Sequence, residues 1–200
     1  MGNTHSGTLE FRNGERIPIF QSLKSVFKGN LCDNGVVKLT VSSSAWNNPK
    51  NLIEGNWSEY WYSKDEENQW IQIEFMSCLV SIKSYSIKTY HALNDGGHLQ
   101  SWILSGSRDG EKWFAIDEHR NDSSLNGKLK SYEWNVVETP PFKYYKLTQT
   151  ERNTFRKLRH NLILKGLEFY GSISPLPVRS QPIPPVHNLI HSQNIIEAYI

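Results

Sequence analysis

The chain has 200 residues, a formal net charge of +2 and 12% aromatic residues, with seven tryptophans. That length suits one domain with appendages, and so even a charge balance does not argue for a nucleic-acid partner. No apolar run reaches the roughly eighteen residues of a transmembrane helix. The two cysteines, Cys32 and Cys78, are too few for a disulfide framework and are predicted to be free thiols. With no apolar stretch near the N-terminus, they predict a reducing, cytoplasmic setting.

Residues 1–8 are small and polar and read as a flexible N-terminus. Met1-Gly2-Asn3-Thr4-His5-Ser6 fits the acyl-acceptor pattern M-G-x-x-x-S, with Gly2 as the myristoylation site. One acyl chain holds a membrane weakly and reversibly, so no stable insertion is expected. Residues 9–35 read as a helical lead-in packed on the domain. Within it, 17–28 has Pro18 in its first turn and Phe20, Leu23 and Phe27 at helical spacing, and Gly29-Asn30 ends it.

From residue 36 the period becomes two. Val37, Leu39 and Val41 alternate with Lys38 and Thr40, and Ile71, Ile73 and Phe75 with Gln72 and Glu74. Ile82, then Tyr85, Ile87 and Thr89, alternate with a slip of one near Ser84, which predicts a bulge. Further strands are predicted at 100–107, 112–119, 131–137, 143–150 and 162–170. Asp109-Gly110 reads as a two-residue hairpin turn, because such turns need φ > 0. Short strands with turn-rich gaps and no long helix between them predict an all-β, eight-stranded jelly-roll sandwich over residues 36–172. Residues 173–200 carry Pro175, Pro177, Pro182, Pro184 and Pro185 and read as a Pro-rich, disordered tail.

Several stretches, in order, resemble the discoidin family, also called the coagulation factor 5/8 type C domain and galactose-binding-like in fold. Leu39–Ser44 resembles its opening strand, and 51–56 the turn that follows. Tyr60–Ser63 resembles its W-x-S element, and Trp70–Phe75 its W-I-x-V-D-F strand. Ser105–Ser107 with Asp109, Gly110 and Trp113 resembles S-x-D-G-x-x-W. Tyr144–Leu147 resembles R-Y-I-R-L, and Leu167–Gly171 the closing E-x-Y-G. Extracellular members usually tie their ends with a disulfide, but no cysteine follows Gly171. That pattern is similar to intracellular members often found beside BTB domains.

The resemblance implies a non-catalytic recognition module that binds a protein or glycan with loops at one end of the sandwich. Lectin-type carbohydrate binding, or a substrate-positioning role in a ubiquitin-ligase-like complex, stand as alternatives. The matching loops contain Trp46, Asn47 and Asn48; His91, Asn94 and Asp95; and Arg152, Arg156, Arg159 and His160. In the last loop only Glu151 opposes the cations in sequence, and forked guanidinium donors suit carboxylates and sugar hydroxyls. A solvated basic loop explains the same residues without a ligand, as burial over the core explains Trp46. Enzyme signatures such as G-x-S-x-G, H-E-x-x-H and the P-loop are absent. No cofactor is expected, and His91 and His98 alone are too few for zinc.

Overall fold

The computed structural model describes residues 16–91, 96–155 and 159–176. Alternation of buried and exposed residues builds two antiparallel sheets. In chain order the elements are β1 (Ile17–Pro18), α1 (Ile19–Val26), β2 (Val37–Val41), a 3-10 turn (Pro49–Ile53), β3 (Trp61–Tyr62), β4 (Trp70–Phe75) and β5 (Cys78–Lys88). Then follow β6 (Trp102–Ser107), β7 (Phe114–His119), β8 (Ser131–Asn135), β9 (Tyr144–Gln149), β10 (Ile163–Leu164) and β11 (Gly166–Pro175). One sheet runs β1-β11-β5-β8, the other β2-β4-β9-β6-β7, and β10-β3 form a separate ribbon. Among the described residues eight strands have five residues or more, as the periodicity predicts.

The inward faces meet in one core. Tyr145 of β9 packs on Phe169 of β11 with centroids 4.9 Å apart, and its hydroxyl donates to Val80 O at 2.7 Å. Trp102 of β6 meets Trp134 of β8 edge-on at 4.9 Å, and its Nε1 donates to the Tyr85 hydroxyl at 2.8 Å. Buried Tyr and Trp thus bring their polar ends to partners inside the sandwich. Helix α1 closes an open side, with Ile19, Phe20 and Leu23 fully buried. It is shorter than the predicted 17–28, because Ile17 and Pro18 pair with Gly171 and Tyr170 instead.

The predicted slip is real: Tyr170 pairs with Ser84 and Gly171 with Ile82, so Lys83 is the extra residue of a bulge. Two further readings differ from what is observed. Asp109-Gly110 is not a two-residue turn, since β6 ends at Ser107 and β7 begins at Phe114, leaving Trp113 in the loop. The loop is built by Asp109 Oδ1, which accepts the N–H groups of Glu111 and Lys112, both at 2.8 Å. These bonds, with the Trp113 indole donating to Gly110 O at 3.1 Å, favour the wider loop over a tight turn. At the other end β11 runs to Pro175, beyond the predicted boundary at 172, because it stays paired with β5 as far as Cys78. Gly2, the rest of residues 1–15 and all but the first four residues of the predicted tail lie outside the described residues, so the readings made of them fall there too.

Cys32 and Cys78 are both free thiols. Burial pushes the Cys78 thiol up to about 12 and, with the nearby Glu54 and Asp33 charges, the Cys32 thiol up to about 11. Thiols so shifted are poor nucleophiles.

Candidate functional site

The connections before β4 and β6 and after β7 and β9 emerge at the same end of the larger sheet. Between them lies a cleft of about 450 Å³, within the usual range of ligand pockets. Glu67 and Asn68 reach it from the connection before β4, Gln100 from the connection before β6 and Asn121 from the connection after β7. Thr150, Glu151, Arg152, Asn153 and His160 come from the long connection after β9. Asn68 and Asn121 take positive φ, +55° and +53°, a conformation Asn accepts more readily than most residues.

The long connection is braced from beneath. Asn153 N donates to Arg159 O at 2.8 Å and Asn153 Nδ2 to Asn161 O at 2.8 Å, while Asn161 Nδ2 reaches Ser63 O at 3.0 Å. Thr154 N donates to His98 O at 3.1 Å and His98 N to Thr154 Oγ1 at 2.9 Å. This brings the connection against Gly96 and Gly97, where an added Cβ at Gly96 would lie 2.2 Å from Thr154 O. His98 is buried, its Nδ1 has no partner among the described residues, and burial lowers its pKa.

Of the residues named from sequence, Arg152 and His160 come together: Arg152 Nε donates to His160 Nε2 at 3.2 Å. This bond uses one of the three guanidinium nitrogens. Arg159 instead points to Asp65, at 3.3 Å, and Asp65 also accepts the His160 N–H at 2.7 Å. The expectation that only Glu151 opposes the basic loop is therefore corrected. Asp65 and Glu67, from a loop some ninety residues earlier, face it as well. Arg156, Asn94 and Asp95 lie outside the described residues.

Trp46 is 52% exposed and bridges to Tyr62, so it is not folded over the core. Asn47 and Asn48 are engaged locally. Asn47 Nδ2 donates to Tyr60 O at 2.8 Å, and Asn48 caps the 3-10 turn through Lys50 N at 3.1 Å. His91 joins an aromatic group that the sequence reading did not single out. Tyr60 lies 4.8 Å from Tyr90, 5.5 Å from His91 and 6.1 Å from Tyr62. Tyr62 pairs with Ile163 across the β3–β10 ribbon, three residues after His160, which links this aromatic group to the cleft connection. Glu67, Asn68, Gln100, Asn121 and Thr150 were also missed, because they converge only through the fold.

The F5/8 type C domain profile matches residues 38–158. The chain is 27% identical over 143 residues to the E3 ubiquitin-protein ligase hecd-1 of Caenorhabditis elegans, covering 68% of this chain and 5% of that protein. It is 26% identical over 117 residues to the E3 ubiquitin-protein ligase Ufd4 of Drosophila melanogaster, covering 56% of this chain and 4% of that one. The chain thus spans about a twentieth of the length of these curated relatives. Among solved structures, CpGH89CBM32-5 from Clostridium perfringens, in complex with GalNAc-beta-1,3-galactose, superposes with a TM-score of 0.54 at 19% identity. That match covers 68% of this chain and 95% of the other, and it shows the fold. With the profile spanning β2 to the loop after β9, and two sheets enclosing one aromatic core, the chain belongs to the F5/8 type C domain family.

Proposed function

We propose that this chain is a non-catalytic recognition module that binds a carbohydrate in the cleft at the loop end. The carrying observation is the cleft's lining. It combines amides, a hydroxyl, carboxylates, a guanidinium and an imidazole, with no apolar side chain among its nine residues. Sugar hydroxyls donate and accept at once, and amide and carboxylate groups meet both needs. The exposed Trp46, beside Tyr62, offers an apolar ring face of the kind that stacks on a sugar. That two neighbours of the same fold are described in complex with galactose or GalNAc-beta-1,3-galactose supports the reading.

The test is a glycan array run on the whole chain, followed by calorimetric titration with galactose and N-acetylgalactosamine. Saturable binding abolished by Arg152→Ala supports the proposal. No glycan binding, or binding untouched by that change, overturns it.

A second reading draws on hecd-1 and Ufd4. The module would hold a protein substrate for a ubiquitin ligase, with the same cleft reading a polar peptide. Affinity capture with the purified chain separates the two: protein partners displaced by Arg152→Ala, with an empty array, favour the second. The two free thiols support a cytoplasmic setting for either reading. Acylation at Gly2 stays part of the proposal, and intact-mass measurement of the chain expressed with an acyltransferase tests it.

A further inference from the structure

One wall of the cleft is held by a histidine that does not itself line it. His119, the last residue of β7, lies between two carboxylates. Its Nε2 is 2.9 Å from Asp117 Oδ2 and its Nδ1 is 2.8 Å from Asp122 Oδ2. The ring stacks on Trp102, with centroids 4.3 Å apart and planes 18° from parallel, and meets Trp134 edge-on at 5.4 Å.

Each carboxylate is tied further into the fold. Asp117 Oδ2 accepts the Tyr85 hydroxyl at 2.8 Å. Asp122 Oδ2 accepts the Trp134 indole N–H at 3.2 Å, and Asp122 Oδ1 accepts Ser124 N at 2.7 Å. Burial alone would raise the Asp122 pKa, but the donors Ser124 and Trp134 and the adjacent imidazole hold it below the usual carboxylate range. An ionised carboxylate only accepts, so two of them need two ring N–H groups, and a neutral imidazole has one. The two short contacts, one on each ring nitrogen, are what a ring donating from both nitrogens would make.

The clamp reaches the cleft through two hydrogen bonds donated by backbone N–H groups. Asp122 N donates to Gln100 O at 2.8 Å, and Asn121 N to Ser101 Oγ at 3.0 Å. Gln100 and Asn121 both line the cleft, and Asn121 holds a left-handed φ of +53° that the surroundings must maintain. Resting on the cleft as the binding site, we propose that His119 is a positioning residue whose ring proton locks β7 to the 120–122 turn and so sets the Gln100–Asn121 wall. Loss of that proton leaves one carboxylate facing a lone pair, and the turn is released.

The other charged or titratable groups nearby are Glu118 on β7, paired with Arg120 at 2.7 Å, and Glu151, which accepts from Ser101 Oγ at 2.8 Å. Tyr85 on β5 is pushed up by burial above its ordinary range and stays a phenol donor to Asp117.

The whole chain, isotope-labelled at histidine, is followed by NMR as the pH is raised from about 5 to 9. Ring ¹⁵N shifts report the protonation of His119. Amide exchange, corrected for its intrinsic pH dependence, reports the turn. The expected result is an imidazolium at the acid end. As the ring loses its proton, exchange at Asn121 and Asp122 should rise by about ten-fold or more, with Ile73 unmoved. In His119→Gln the exchange at both amides should be independent of pH. A neutral ring with the turn fully protected, or exchange that stays flat through the titration, overturns the proposal. The wild-type titration decides the question even if the variant fails to fold. Because no ligand is used, failure here is distinct from failure of the carbohydrate reading.

Discussion

Glu168 in the last strand accepts the backbone N–H of Phe20 in the first helix at 2.8 Å, across 148 residues of sequence. Its second oxygen faces Gln21 N at 3.4 Å. The residue before the helix is Pro18, which has no side-chain cap to offer, so Glu168 satisfies donors that would otherwise be orphaned. The bond holds Phe20 between Phe75, at 6.0 Å, and Phe169, at 5.4 Å. Phe20→Ala should therefore cost about 3–5 kcal/mol, the loss typical of a buried aromatic. Urea denaturation checks this. A loss under about 1 kcal/mol would show that the lead-in helix is not part of the cooperative unit.

Glu168 also predicts a pH dependence. Burial raises its pKa to about 7, against the opposing pull of the Phe20, Phe169 and Gln21 N–H groups. The ordinary value in an unfolded chain is about 4.3. Between the two the folded state holds the extra proton, so stability is fullest below about 4.3 and falls as pH rises through about 7. The loss attributable to this group is at most roughly 3–4 kcal/mol. Glu168→Gln keeps the shape and removes the titration. Its stability, measured by denaturant from pH 4.5 to 8, should lack that decline. Parallel curves for the two proteins would disprove it.

At Gly171, beside the bulge at Lys83, an added Cβ would lie 1.9 Å from Ser81 O, a backbone atom that cannot step aside. Gly171→Ala should cost about 1–3 kcal/mol through forced backbone shifts. Gly166, where the nearest atom would be 3.5 Å away, is the control, and its Ala variant should change stability by less than about 1 kcal/mol. Equal melting shifts for the two would refute the close-approach argument.

Much of this fold is legible in sequence because the signals are local. Ile71, Ile73 and Phe75 alternate with polar residues and are all buried in β4, and the break in phase near Ser84 marks a real bulge. The turn after β6 was legible only in part. Asp109-Gly110 announces a left-handed glycine, and Gly110 has φ of +82°. The width of the loop depends on which N–H groups Asp109 captures and on where the Trp113 indole comes to rest. Gly110→Val should still cost about 1–3 kcal/mol, because the positive φ is present in the wider loop as well. An unchanged melting temperature would remove that strain from the account.

The site was less legible for the same physical reason. Arg152 and His160 are eight residues apart and share one loop in the sequence. Glu67, Gln100 and Asn121 come from three other connections and carry no motif. Asp65, which engages Arg159 and the His160 N–H, could not be linked to a loop ninety-four residues later by any local pattern. Exposed Trp46 could be flagged but not placed. Its partner Tyr62 is set by a single bridge, and Tyr60 and Tyr90 meet only because two loops converge.

The last prediction concerns the cleft and separates its cations. Arg152 is exposed, and through His160 it forms the basic corner of the cleft. Arg159 is exposed but already answers Asp65. If ligand capture needs an unspent guanidinium, Arg152→Ala should weaken capture by about 2 kcal/mol or more, as expected for a hot-spot arginine. Arg159→Ala should do much less, because its exposed ion pair contributes about 0–1 kcal/mol. Both variants should unfold within about 0.5 kcal/mol of the parent, since neither side chain supports the core. Trp46→Ala probes whether the aromatic group shares the ligand, and in that case it should lower capture of the same partner without moving the thermal midpoint. Calorimetric titration of the four proteins with one ligand decides the matter. Equal losses for Arg152 and Arg159 would mean that capture depends on net charge alone, and the cleft as a shaped site would fall.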